Sequence, residues 1–142
     1  MIIVPFVPDH LRKLQMQPSQ LEIQPTLLSP EYGKSLEISG PAFTGLDDDY
    51  NVICCLGVVK QWDHRGLAWG LIGENAGDHF VAIHRAVRRF LDLQDLRRIE
   101  AAVSTEFQQG HRWIQMLGFK YEGTMQSYTP QGDDCDLYAR IR

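Results

Sequence analysis

Few side chains in this sequence are brought together by type and spacing in a way that implies chemistry. His79 and His84 stand five residues apart in a segment of helical periodicity. Side chains at i and i+5 do not converge on one ion as i, i+3 or i, i+4 pairs do, so no metal is expected. Asp63-His64-Arg65 groups an acid, an imidazole and a guanidinium, but between two strand-like runs, where such a triplet reads as the polar tip of a hairpin. Arg85, Arg88, Arg89, Arg97 and Arg98 form a local basic stretch, a solvated face or else a contact for an acidic partner. Trp62, Trp69 and Trp113 read as core or rim packing rather than a stacking platform for bases. The three cysteines are the adjacent pair Cys54 and Cys55, on opposite faces of a strand, and the distant Cys135. This spacing suits buried, reduced thiols better than a disulfide framework or a zinc site.

The elements that would position these side chains are well marked. Ile2 to Val7 is β-prone, with Pro5 pointing to a sheet edge, and Pro8-Asp9 opens a short helix around His10 to Leu14. Prolines at 18, 25 and 30 break every candidate element between Gln15 and Pro30. Ser29-Pro30-Glu31 then starts a helix through about Ile38, stopped by Ser39-Gly40-Pro41. Phe43 to Leu46, Asn51 to Lys60 and Arg65 to Gly73 form three successive antiparallel strands. The middle one, apolar on both faces from Val52 to Val59, should be central and covered on each side. Gly57, Gly66 and Gly70 leave room there for a bulge or a close approach.

Asp78 to Leu91 is the clearest helix, with Phe80, Ile83, Val87, Phe90 and Leu91 on one face and His84, Arg85, Arg88 and Arg89 on the other. Arg98 to Val103 is a strand in which Ile99, Ala101 and Val103 alternate. In Ser104 to Tyr121, Thr105 and Gln108 form a capping box. Phe107, Gly110, Ile114 and Leu117 share a face there, and Gly118 ends the helix in the left-handed conformation. Phe119 to Tyr128 and Cys135 to Ile141 close the chain as a hairpin around Pro130 to Asp133. Cys135, Leu137, Ala139 and Ile141 are its predicted inward row.

The 142 residues, 44% apolar and 10% aromatic, are enough for a single domain, 1-142, with a real core. A net charge of −4 offers no global attraction to nucleic acid or to an anionic membrane. The apolar start, Met1 to Val7, lacks a basic lead and is too short for a signal or a membrane span, so a cytoplasmic location is expected.

The order strand, helix, helix, three antiparallel strands, long helix, strand, helix, two strands resembles the GNAT acetyltransferase fold. That fold is α/β (α+β), a mixed, mainly antiparallel sheet with helices on both faces and a C-terminal hairpin. Trp69-Gly70-Leu71-Ile72-Gly73, the Phe80 to Arg89 helix, and Arg112-Trp113-Ile114-Gln115-Met116-Leu117-Gly118-Phe119 are similar to GNAT-like proteins of tailed bacteriophages, including internal virion proteins.

The resemblance implies acetyl-CoA in a cleft where the strands ending near Gly73 and Val103 splay apart. The pantetheine would pair with the strand backbone and the pyrophosphate would sit on the start of the next helix. That places Leu71, Ile72, Gly73, Ala76, Gly77, Asp78 and His79 at the cofactor.

Several residues depart from the family pattern. Of the usual Arg/Gln-x-x-Gly-x-Gly/Ala loop only Gly77 remains in Glu74-Asn75-Ala76-Gly77-Asp78-His79, and Glu74 and Asp78 put negative charge where phosphate oxygens would lie. At about 4 Å and an effective dielectric near 20, two unit charges interact by roughly 4 kcal/mol. Asn75 or Asp78 has a plain alternative as a helix cap. Ile114 stands where a tyrosine commonly protonates the departing thiolate, and Phe107 where an asparagine often sits; neither transfers a proton. Glu74 is then the candidate base by position, with His111 or Tyr121 as helpers.

Two functions follow from the resemblance. One is N-acetyl transfer to a small-molecule or protein amine. The other is a non-catalytic GNAT-fold component of a phage particle, with other virion proteins as partners.

Overall fold

The structure, a computed structural model, describes residues 1–15 and 30–142. The cap expected at Ser29, and all but the ends of the proline-broken stretch, lie outside the described residues. In chain order the elements are β1 (Ile2–Pro5), α1 (His10–Lys13), α2 (Pro30–Ile38), β2 (Ala42–Leu46), β3 (Val52–Trp62), β4 (Arg65–Ile72), a 3-10 turn (Glu74–His79), α3 (Phe80–Asp92), β5 (Arg98–Ser104), α4 (Gln108–Met116), β6 (Lys120–Met125) and β7 (Cys135–Ile141). The sheet has seven strands in the order β1-β2-β3-β4-β5-β7-β6. β1 is at its edge, where Pro5 withholds no needed donor. The described ladders β1–β2, β2–β3, β5–β7 and β6–β7 are antiparallel, and β4–β5 is parallel.

The chain divides into two compact units, Met1–Lys60 with Trp69–Leu93, and Gln61–Ala68 with Gln94–Arg142. In the first, β3 is buried from Val52 to Val58, as its two-sided apolar run requires. Phe6, Leu11 of α1, Leu36 of α2, Val52, Cys55 and Leu71 make one core cluster. Thr44 faces this side, since its hydroxyl lies 2.7 Å from His10 Nδ1 and 3.7 Å from Cys55 Sγ. Phe43, its neighbour, points to the opposite face and meets Phe90 of α3 with ring centroids 5.2 Å apart. Helices therefore cover both faces of this part of the sheet. Gly57 is required by close approach: a Cβ there would lie 2.7 Å from Ala42 Cβ, 2.8 Å from Trp69 Nε1 and 2.9 Å from Pro41 O.

In the second unit the parallel ladder consists of Arg65↔Arg98, Gly66↔Ile99 and Leu67↔Glu100, while β5 keeps β7 as its partner through Ser104↔Cys135. α4 lies on β5, where a Cβ at Gly110 would come within 3.0 Å of Val103 Cγ1. Gly118 has φ +92°, the left-handed stop expected of it.

Two expectations fail here. The capping box is absent: α4 begins at Gln108 with Phe107 as its cap and no side-chain cap bond, because the Thr105 hydroxyl is turned to Asp134 O at 3.4 Å. The inward row of β7 is kept at Cys135 and Ala139 but not at its end. Ile141 is exposed at the end of the strand and Tyr138 is buried. Tyr138 is held between His111 and Tyr121, with ring centroids at 5.7 and 5.9 Å, opposite a register shift in β6 between Tyr121 and Gly123.

Candidate functional site

The end of β4 and the turn after it contain every residue expected at a cofactor. Leu71 is buried in the core cluster, and the Gly73 N–H donates to Ile53 O of β3 at 2.8 Å, so the strand is anchored on one side. Successive strand residues turn their backbone groups to alternate edges, which directs the Ile72 amide to the edge of β4 facing away from β3.

The turn itself is tied down by backbone bonds. Glu74 N–H donates to Gln15 O at 2.7 Å and Ala76 N–H to Gly73 O at 3.2 Å; the Ala76 side chain is buried. The helix expected from Asp78 begins later, at Phe80, because Glu74–His79 winds as a 3-10 turn. Neither Asn75 nor Asp78 caps a helix: the two N-cap positions are Gly73 and His79, without side-chain cap bonds. Asn75 instead folds back, its Oδ1 lying 2.6 Å from where a Cβ at Gly73 would be.

Glu74, Asn75, Gly77 and Asp78 are exposed, and His79 is half-buried. A Cβ built at Gly77 meets nothing within 4 Å, so packing does not demand glycine there. The Asp47 carboxyl is held below its ordinary range, first by the Asn51 N–H and in smaller part by the charge of His79. Among the described residues no group of three or more His, Cys, Asp or Glu side chains could hold a metal ion, and no helix is long and apolar enough to cross a membrane.

The suggested helpers lie in the second unit and are engaged there. His111 Nδ1 is 2.9 Å from Tyr138 Oη, and its Nε2 is 2.9 Å from Ser104 O. The carbonyl can only accept, so Nε2 carries a proton. Tyr121 Oη bonds to Thr124 Oγ1 at 2.9 Å, and that hydroxyl donates to Asp136 at 2.7 Å. Ile114 and Phe107 are half-buried apolar residues.

Two polar clusters were missed by reading the sequence. Glu100, 8% exposed, accepts both Nε and Nη2 of Arg65, at 2.7 and 2.9 Å, and Nε of Arg98 at 2.7 Å. Arg98 also pairs with Glu122. The hydrogen bonds from Arg65 are the main reason the Glu100 carboxyl sits below its ordinary range. The signal available was an acid and a base two apart on one strand face, Arg98 and Glu100, beside an arginine on the neighbouring strand. In the first unit, Nδ1 of His10 takes the Val7 N–H at 3.2 Å and the Thr44 hydroxyl at 2.7 Å.

Comparison of this architecture with solved structures gives full-length likenesses. A protein described as a phosphinothricin N-acetyltransferase superposes with a TM-score of 0.75 at 15% identity, covering 99% of this chain and 97% of that one. A chimera of the Vibrio cholerae spermidine N-acetyltransferase and hSSAT gives 0.70 at 16%, covering 99% and 96%. A GNAT-family acetyltransferase from Bacillus anthracis gives 0.68 at 14%, covering 98% and 93%. The chain has the GNAT fold. No protein-family model matches the sequence, and no curated protein matches it.

Set against the acetyl-CoA that GNAT enzymes use, the residues present divide into two groups. The edge of β4 at Ile72 is extended backbone suited to a pantetheine arm. The turn Glu74–His79 lacks the marks of a diphosphate site at two of its N–H groups and in its side-chain charge. The N–H groups of Glu74 and Ala76 are already bonded to Gln15 and Gly73, and two of its exposed side chains are acids.

Proposed function

We propose that this GNAT-fold chain transfers an acyl group, acetyl in the simplest case, from a thioester to an amine. The observation that carries the reading is the anchored end of β4. Leu71 in the core and the Gly73–Ile53 bond hold the strand, and alternation along a strand turns the Ile72 N–H to its other edge. A fixed backbone donor is the device that stabilises negative charge developing on a carbonyl oxygen, and being preformed it needs no reorganisation during the reaction.

The amine nitrogen adds to the thioester carbon, a C–N bond forms, the C–S bond breaks and the sulfur leaves as thiolate. Glu74, exposed at the end of the strand, is the proposed acceptor of the proton that the amine gives up. Leu71, Ile72 and Gly73 are the backbone proposed to align the donor arm. The acceptor is an amine; the relation to a spermidine N-acetyltransferase makes polyamines the first class to try.

The test is release of free thiol from acetyl-CoA and from acetyl-pantetheine in the presence of spermidine, other polyamines and amino-terminal peptides. Amine-dependent release that falls in Glu74→Gln supports the reading. Absence of release together with absence of heat on titrating both donors would remove it. The second reading, a fold kept without catalysis as a component of a phage particle, draws on Ile114 and Phe107, which cannot transfer protons. Finding the chain by mass spectrometry in purified particles, with neither donor bound, would favour it.

A further inference from the structure

The described turn after β4 is built unlike a phosphate cradle, and this bears on which part of a donor the chain recognises. A site for a diphosphate needs unpaired backbone N–H groups aimed at the oxygens and positive charge nearby. In Glu74–His79 the N–H of Glu74 is 2.7 Å from Gln15 O and that of Ala76 is 3.2 Å from Gly73 O, while the Gly73 N–H is given to Ile53 O at 2.8 Å. Glu74 and Asp78 are exposed. Gly77 leaves space, with nothing within 4 Å of an added Cβ, but space flanked by acids excludes an anion rather than holding one.

We infer that the chain selects its donor by the acyl-pantetheine arm along β4 and takes no affinity from a nucleotide diphosphate, with Glu74 and Asp78 setting this preference. The inference rests on the acyl-transfer reading above. It assigns the two acids of the turn a role in specificity: they remove the advantage that coenzyme A ordinarily has over smaller pantetheine thioesters, and they make donor binding respond to salt in the opposite sense from a basic clasp. Screening weakens repulsion between exposed like charges, so acetyl-CoA binding strengthens as ionic strength rises.

The experiment is calorimetric titration of the full chain with acetyl-CoA, acetyl-pantetheine and adenosine 3′,5′-bisphosphate at low and moderate salt. The two thioesters are expected to bind within about threefold of each other, with acetyl-CoA gaining affinity as salt is added and the bisphosphate not competing. Asp78→Arg, a change at an exposed position, should tighten acetyl-CoA by about tenfold and leave acetyl-pantetheine unchanged, its melting curve reporting that the fold is intact. Acetyl-CoA binding about tenfold or more tightly than acetyl-pantetheine in the unmodified chain, or displacement by the bisphosphate, overturns the inference and leaves acyl transfer standing. An Asp78→Arg chain that binds both donors as before also overturns it. If neither thioester binds at any salt, the acyl-transfer reading fails, and this inference with it.

Discussion

Glu100 and His10 show how single side chains are held by partners far along the sequence. Glu100 is nearly buried and its carboxylate is bracketed by Arg65 and Arg98, a bidentate and a monodentate contact that together favour the ionised form. Its value lies below the ordinary 4.5; the stability it contributes is present above that pH and is lost as pH falls through the lowered value. His10 is shifted down from 6.5, chiefly by burial and then by the charge of Lys13. Its neutral ring accepts two hydrogen bonds at Nδ1. Here too the folded value is below the unfolded one, so the stability is present above pH 6.5 and declines as pH falls below it. Acidification should therefore weaken the protein in two steps, one below pH 6.5 and one below pH 4.5. Urea midpoints measured against pH check this: His10→Gln should flatten the first step, and Glu100→Gln the second, at a cost near neutral pH of about 2 kcal/mol for the charged hydrogen bonds lost. Both steps persisting in either variant would contradict the assignment.

Among the elements, α4 and the turn before α3 make opposite points about local sequence. The stop of α4 was legible because Leu117-Gly118-Phe119 carries its own reason: only glycine takes φ +92° without a penalty from Cβ. Gly118→Ala should cost about 1 kcal/mol and lower the melting temperature by about 3 °C, read by circular dichroism. The start of α4 was misread, since Thr105 has the right type and spacing for a cap yet its hydroxyl reaches Asp134, 29 residues on. At Glu74–His79 only the helix start was misread, since neither Asn75 nor Asp78 caps a helix. The acids and the glycine of this turn are local, but whether its N–H groups are open to a ligand depends on Gln15, which no periodicity near residue 74 reveals.

For the molecule as a whole, the three thiols report on how tightly the structure is closed. Cys54 and Cys55 are fully buried, and burial pushes their thiols up to about 11 and about 12; Cys135 is buried and raised for the same reason, with the neighbouring acids Asp136, Asp133 and Asp134 adding to it. A thiol reacts as thiolate and must be reached by the reagent, so a disulfide reagent at pH 8 should label none of the three quickly in the native protein and all three at once in denaturant. One equivalent reacting immediately would show that one of these positions is open to solvent.

The order of elements, the central burial of β3, the amphipathic face of α3 apart from the exposed Phe80, and the glycine stop of α4 could be read in advance, because each rests on local pattern: periodicity, turn chemistry and handedness. The rest could not, since it depends on pairs brought together over long stretches of chain. Glu100 is stabilised by Arg65, Tyr138 is buried on the other face of β7 against His111 and Tyr121, and Gln15 takes the first N–H of the turn after β4. Hydrogen-bond partners and register are settled only when distant segments meet, and at Glu74–His79 that meeting gives the first N–H of the turn to Gln15 O.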